Sequence, residues 1–273
     1  MLPGVDDGPT SWSESVEMVR MAAADGIAAI AATSHMMPDG AFANRRTTLL
    51  PLVSELQERL RRQGVDVAVY PGGEVYMSPD VIARLERKEV LTYNDAGRYI
   101  LLELPATEVP SYARRVIEDL VDMGIRPIIA HPERNAEISH KPQIARQLVD
   151  AGALLQVNAG SLRWRHATRQ AAKYLLTRGY VHFLATDCHG VYTRRPRLSP
   201  YVAIIAEWIG ADAVRKLVRD NPAAVLAGRW LDPPEIKEKP GLGARLFGAL
   251  RGARQERGRV NVEYAVGVPP SAP

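Results

Sequence analysis

The feature that most constrains this chain is an alternation: amphipathic helical stretches and short, mostly apolar strand stretches follow one another along the sequence. Ser11 and Glu14 form an S-x-x-E capping pattern before an apolar-periodic stretch that stops near Gly26, which predicts a helix over residues 11–25. Residues 27–33 then read as a buried strand. The same order recurs as helix 49–62 with strand 66–70, a shorter helix from Pro79 with strand 99–102, and helix 112–123 with strand 127–130. Helix 143–150 with strand 154–157 and helix 168–178 with strand 181–185 complete it. Apolar strands separated by amphipathic helices predict an α/β fold with a parallel sheet covered by helices.

Just past these strands stand His35, Glu74, Glu103, His131, Asn158 and Asp187, the last followed by His189. All but Asn158 are ordinary metal ligands. Their separations of 39, 29, 28, 27 and 29 residues are what one strand, one helix and a return loop require. In a β/α barrel the carboxyl ends of the strands face one mouth, so side chains distant in sequence converge there. An open doubly wound sheet gathers strand ends mainly at its switch point, so a barrel is expected instead.

Histidines and carboxylates without thiolates suit divalent zinc, manganese or iron rather than a cysteine-rich structural site. Several carboxylates allow bridging. A cluster of two or three ions of this kind polarises phosphoryl oxygens and activates water without a protein nucleophile. Asp6 and Asp7 add two carboxylates before the first helix, and since Ser11 already serves as its N-cap, one of the pair is a further candidate ligand. Arg134, three residues after His131, and Arg194 with Arg195 after His189 are candidates to bind phosphate through forked donors. His182 reads as packed or hydrogen-bonded structure, while His140 and His166 have no paired ligand nearby. Cys188 and Arg194 match C-x5-R, the spacing of cysteine-dependent phosphatases, but the intervening HGVYT offers only Gly190 where a phosphate cradle needs small residues. A cysteine mechanism is therefore not expected.

Composition sets the frame for this site. The chain has 273 residues, 46% of them hydrophobic, enough for one substantial core. The formal charge of +4 comes without a basic run interleaved with aromatics, so no nucleic-acid surface is expected. The single cysteine excludes an intramolecular disulfide, no secretory signal is legible, and no apolar run reaches the length of a spanning helix. A soluble, cytoplasmic protein is expected. Residues 1–231 read as the catalytic domain and 232–273 as a flexible basic tail rich in Pro, Gly and Arg. Within it, 244–254 reads as solvated chain, with a short basic amphipathic helix on a membrane surface or partner as the alternative. Nothing in the sequence fixes an oligomeric state.

Seven segments, LPGVDDGP, ATSH, PGGEVY, LLELP, IIAHPERN, LQVNAGSL and ATDCH, occur in that order. Together they resemble the manganese-dependent protein-tyrosine phosphatases of bacterial capsular and exopolysaccharide operons, within the polymerase and histidinol phosphatase (PHP) superfamily. The resemblance spans residues 2–229. It implies a distorted seven-stranded TIM-like barrel and up to three metal ions, with manganese first and zinc or iron as alternatives. It implies metal ligation by Asp7, His35, Glu74, Glu103, His131, Asp187 and His189, and phosphate binding by Arg134 and by Arg194 or Arg195. The implied substrate is phosphotyrosine on a tyrosine-phosphorylated protein, the tyrosine kinase of polysaccharide assembly.

Family members begin with a strand ending in His-x-His immediately before the stretch matching Leu2-Pro3-Gly4, whereas this sequence starts at Met1. The resemblance thus implies a missing first strand and incomplete metal binding, from a start site lying upstream or from loss of part of the site. The upstream start is expected. Two alternatives stand beside the phosphotyrosine reading: a phosphatase for a small phosphomonoester such as histidinol phosphate, and a catalytically impaired docking or regulatory subunit.

Overall fold

A computed structural model describes residues 1–163 and 166–233. The tail expected from residue 232 onwards, with its segment 244–254, lies outside the described residues beyond Pro233. Six strands run parallel: β1 (Ala29–Met36), β2 (Ala68–Tyr76), β3 (Tyr99–Glu103), β4 (Arg126–Ala130), β5 (Leu154–Asn158) and β6 (Phe183–Ala185). They are hydrogen-bonded in chain order, β1 to β6. An order without reversal has no switch point, which rules out the doubly wound alternative. The sheet curls as a half-barrel whose edges are β1 and β6.

Five helices alternate with the first strands: α1 (Trp12–Ala24), α2 (Arg46–Arg62), α3 (Val81–Glu86), α4 (Ala113–Asp122) and α5 (Ala136–His140). Next come α6 (Ala145–Asp150) and α7 (His166–Thr177), and after β6 the helices α8 (Ser199–Ile209), α9 (Ala211–Arg215) and α10 (Asn221–Leu226). The capping pattern read at the start is realised with one change of partner. Ser11 Oγ accepts from Glu14 N at 3.3 Å, but Glu14 Oε2 reaches back to Thr10 N at 2.9 Å rather than to Ser11. Gly26 stops α1: at φ +87° it lets its own N–H reach Ala23 O at 2.9 Å and Ile27 N–H reach Ala22 O at 3.0 Å, turning the chain directly into β1.

Strand alternation divides the core into two layers. Ile100, Leu102, Ile129 and Leu155 face outward against buried helix residues such as Leu56, Ile117, Leu148 and Leu175. Tyr99, Leu101, Ile128, Leu154 and Phe183 fill the concave side. The same alternation carries Glu103 inward two residues after Leu101, which is how an apolar strand delivers a carboxylate to the mouth. Across the open side, the buried Asp25 carboxylate at the end of α1 accepts from Leu198 N at 2.6 Å and Ser199 N at 3.0 Å, capping α8 from a different helix. No helix among the described residues is long and apolar enough to cross a membrane.

Candidate metal centre

β1 and β2 run further than the sequence suggests, and that extension places two of the candidate ligands. Their ladder continues from Ala29↔Ala68 to Met36↔Val75, so His35 and Glu74 lie inside the strands as register partners rather than just past them. Glu103 and Asn158 are the last residues of β3 and β5, while His131 and Asp187 each follow a strand directly or within two residues. His131, Asp187 and Arg194 all have left-handed backbone, at φ +29°, +49° and +45°. Non-glycine residues adopt that region at a cost, and such costs concentrate at functional sites.

These residues converge. His35 Nδ1 lies 3.4 Å from Glu74 Oε2 and 3.5 Å from Glu103 Oε2, and its Nε2 lies 3.5 Å from Asp7 Oδ1. His131 Nε2 is 3.0 Å from Glu74 Oε1 and 3.6 Å from Glu103 Oε1, and His189 Nε2 is 3.1 Å from Asp7 Oδ1. Two sets of donor atoms, Asp7 with His35 and His189, and His35 with Glu74 and Glu103, each lie within 4.8 Å of one another. They share His35. Burial opposes the charged form of His131, yet contact with the Glu74 carboxylate outweighs it and raises the imidazole to about 9. Burial and the nearby Glu74 charge push Glu103 up as well.

The donor set fits a cation. His35 Nδ1 is buried and finds no hydrogen bond of proper geometry among the described residues, although two carboxylates face it. Four carboxylates crowd one mouth, and of these Glu74 and Glu103 are largely buried with only imidazoles facing them among the described residues, so they need a cation or protons between them. Imidazole nitrogens and carboxylate oxygens are the ligands expected for a borderline or hard divalent ion.

Two sequence ambiguities are separated by geometry. Asp6 spends its carboxylate on main-chain amides, accepting from Gly8 N at 3.0 Å and His35 N at 3.3 Å, whereas Asp7 turns toward His35 and His189. Arg194 contacts both Asp187, through Nη2 and Oδ2, and Asp7, whose Oδ2 lies 3.5 Å from Nη1. Arg195, the other candidate, is exposed, and its Nε donates to Tyr192 O at 3.2 Å, so the structure does not bring it into the cluster. Arg134 Nη1 lies 2.7 Å from Asp187 Oδ2. Although burial opposes ionisation, Arg194, His131 and Arg134 hold the Asp187 carboxyl below its usual range.

Some contributing residues escaped the sequence reading. Asn44 Nδ2 donates at 2.8 Å to both Val5 O and His35 O, tying the segment that carries Asp7 to the end of β1. In IIAHPERN, Glu133 is fully buried, accepting from Asn158 N at 2.9 Å and Ser161 Oγ at 2.7 Å, and burial pushes its carboxyl up. Asn135 caps α5 by accepting from Ile138 N at 3.0 Å. The motif's regular helix-cap chemistry offered a signal for Asn135; nothing local marks Glu133. The other histidines stand apart, as read: His182 Nδ1 accepts from Leu155 N at 3.1 Å, and His140 Nδ1 meets Ala136 O at 2.7 Å. Burial pushes the Cys188 thiol up, and its side chain packs against the hydrophobic core.

Comparison with known proteins identifies the family. The family described as capsular polysaccharide synthesis, CpsB/CapC, matches residues 1–227. Tyrosine-protein phosphatase YwqE of Bacillus subtilis (strain 168) is 31% identical over 253 residues, which cover 91% of this chain and 96% of that protein. Tyrosine-protein phosphatase CpsB of Streptococcus pneumoniae is 29% identical over 230 residues, covering 81% and 93%. A solved chain from a study of YwqE and CpsB, named there as metal-dependent tyrosine phosphatases, superposes with a TM-score of 0.80 at 31% identity, covering 87% of this chain and 97% of that one. The chain therefore belongs to the CpsB/CapC family of capsular polysaccharide synthesis.

Proposed function

We propose that this protein is a metal-dependent tyrosine phosphatase that removes phosphate from a phosphotyrosine on a protein of capsular polysaccharide assembly, a bacterial tyrosine kinase being the favoured substrate. The observation that carries this reading is the convergence of imidazole and carboxylate donors from Asp7, His35, Glu74, Glu103, His131, Asp187 and His189 at one mouth of the half-barrel, with Arg134 and Arg194 beside them. Two or three divalent ions, manganese first among them, would be held by these seven residues. Bound there, they supply Lewis-acid polarisation of phosphoryl oxygens and lower the pKa of water.

The chain's own residues do the rest. Arg134 and Arg194 present guanidinium donors at the rim and suit the oxygens of a phosphomonoester dianion, which they would bind in fork geometry. No protein nucleophile is required, and Cys188 is poorly placed to be one because its thiol is held in the protonated form by burial. A phenolate is a good leaving group, since the tyrosine hydroxyl has a pKa of about 10.

The finer reading of the fold is a seven-stranded barrel. It is supported by a cavity of about 310 Å³ between the outer edges of β1 and β6, lined in part by Ala29, Ala31, Phe183 and Ala185 and opening onto His35 and Asp187. A strand at that place would pair with both edges and close the ring.

The test is hydrolysis of p-nitrophenyl phosphate, a phosphotyrosine peptide and histidinol phosphate by chelator-treated protein, with and without added Mn²⁺. Manganese-dependent turnover with preference for the two aryl phosphates is expected. Turnover indifferent to chelator, or confined to histidinol phosphate, overturns the proposal.

A further inference from the structure

Asn158 ends its strand where every other strand supplies a ligand-type residue, and the proposed chemistry leaves it without a part. Its surroundings define one. Asp187 Oδ2 takes three donors: Arg134 Nη1 at 2.7 Å, Asn158 Nδ2 at 2.7 Å, and Arg194 Nη2. An oxygen so occupied has no lone pair left for another partner, so Oδ1, which lies 3.8 Å from His189 Nδ1, is the atom Asp187 offers to a cation.

The three donors differ in kind. Arg134 and Arg194 have long side chains and are the groups proposed to turn toward substrate phosphate. Asn158 is fixed. It is only 2% exposed, its Oδ1 accepts from Gly160 N at 2.8 Å, and its own backbone N–H donates at 2.9 Å to the buried Glu133 carboxylate. Because Gly160 N can only donate, the carboxamide oxygen must face it, and the NH₂ group must face Asp187. A Cβ at position 160 would sit 3.1 Å from that oxygen, so the glycine keeps the amide contact close. Glu133 fixes the same loop a second time through Ser161 Oγ at 2.7 Å.

We infer that Asn158, braced by Glu133, is a positioning residue that holds Asp187 Oδ2 while the two arginines exchange between Asp187 and phosphate, so that Oδ1 stays aimed at the metal through the catalytic cycle. This inference rests on the reading of Asp187 as a metal ligand.

The experiment uses the full chain and Mn²⁺ alone as the first probe. Free Mn²⁺ is followed by electron paramagnetic resonance in titrations of wild type, Asn158→Asp and Asn158→Ser, with circular dichroism melts on each. Asn158→Asp keeps the shape but sets a carboxylate oxygen against Asp187 Oδ2. Partners that orient metal ligands are typically worth about 10–100-fold in affinity or activity. The expected result is Mn²⁺ affinity weakened by about 10–100-fold in Asn158→Asp and by less in Asn158→Ser, in protein that stays folded. With an aryl phosphate, kcat falls in parallel while KM, set by the arginines, stays within about threefold. Both variants binding Mn²⁺ as wild type does would overturn the inference alone, leaving the phosphatase reading intact. Loss of fold in both variants would make Asn158 a structural residue and overturn it equally. Wild-type protein that takes up no Mn²⁺ would overturn both readings.

Discussion

Lowering the pH should destabilise this protein in part through a buried histidine outside the metal centre, His182. His182 is 5% exposed, and its Nδ1 accepts the Leu155 N–H at 3.1 Å, an arrangement that needs a lone pair on that nitrogen. Burial pushes the imidazole down to about 4, with the nearby Arg126 charge acting in the same direction. In the unfolded chain it titrates near its ordinary value of about 6.5. Between those values the unfolded state binds the extra proton and the folded state does not, so stability falls as pH falls. The contribution is complete above about pH 6.5 and lost by about pH 4, and a shift of this size is worth about 3 kcal/mol. For a domain of this length that is about 6–12 °C of melting temperature. The substitution His182→Asn keeps an acceptor near the Nδ1 position and removes the titrating group. Urea unfolding of wild type and His182→Asn at pH 7.5 and pH 4, with chelator present so that metal release adds nothing, isolates the histidine's contribution because all other groups cancel in the difference. Wild type should lose about 3 kcal/mol more than the variant across that range. Equal losses would refute the reasoning.

Three further outcomes are expected. Cys188→Ser should retain activity within about twofold and stay fully sensitive to chelator, because an ordinary thiol is only a few per cent thiolate at pH 7 and burial lowers that fraction here; steady-state kinetics on an aryl phosphate measures it. Gly73→Ala should cost about 1–3 kcal/mol in chemical denaturation, since the new Cβ would lie 2.3 Å from Sδ of the fully buried Met36, and it should also depress activity by displacing the adjacent Glu74. Trp230→Ala should cost about 1–2 kcal/mol by removing the ring over which the Arg126 guanidinium sits at 4.2 Å, read as a drop in melting temperature without change in kcat.

The helix and strand alternation was legible because each period ends in a recognisable stop and each strand is apolar. The strand ends were less so. Thr33-Ser34-His35 and Pro71-Gly72-Gly73-Glu74 carry polar and turn-forming residues, so propensity ends β1 and β2 early, yet pairing between the two strands continues to Met36↔Val75. Gly73 signals a turn in sequence but serves close packing against Met36 in the fold. Helices α8, α9 and α10 went unread beyond β6: Pro196, Pro200 and Pro222 break the pattern there, and α9 passes into α10 through a π turn at Lys216–Asp220. Among site residues, the residue pattern alone left Asp6 and Asp7 open, as it did Arg194 and Arg195, since adjacent residues differ in the direction they face and not in chemistry; the family resemblance pointed to Asp7 but left the arginine pair open. Glu133 was invisible for another reason. Its importance lies in contacts with residues 25 and 28 positions away, which no local pattern reports.

Two carboxylates join the open side of the half-barrel: Asp7 meets His189 and Arg194, and Asp25 meets the start of α8. Asp25 links the exit of α1 to the start of α8 without touching any candidate ligand, and the loop between β6 and α8 carries His189 and Arg194. Substitutions at Asp25 therefore reach the mouth indirectly, through the seating of α8 and the loop that carries His189 and Arg194.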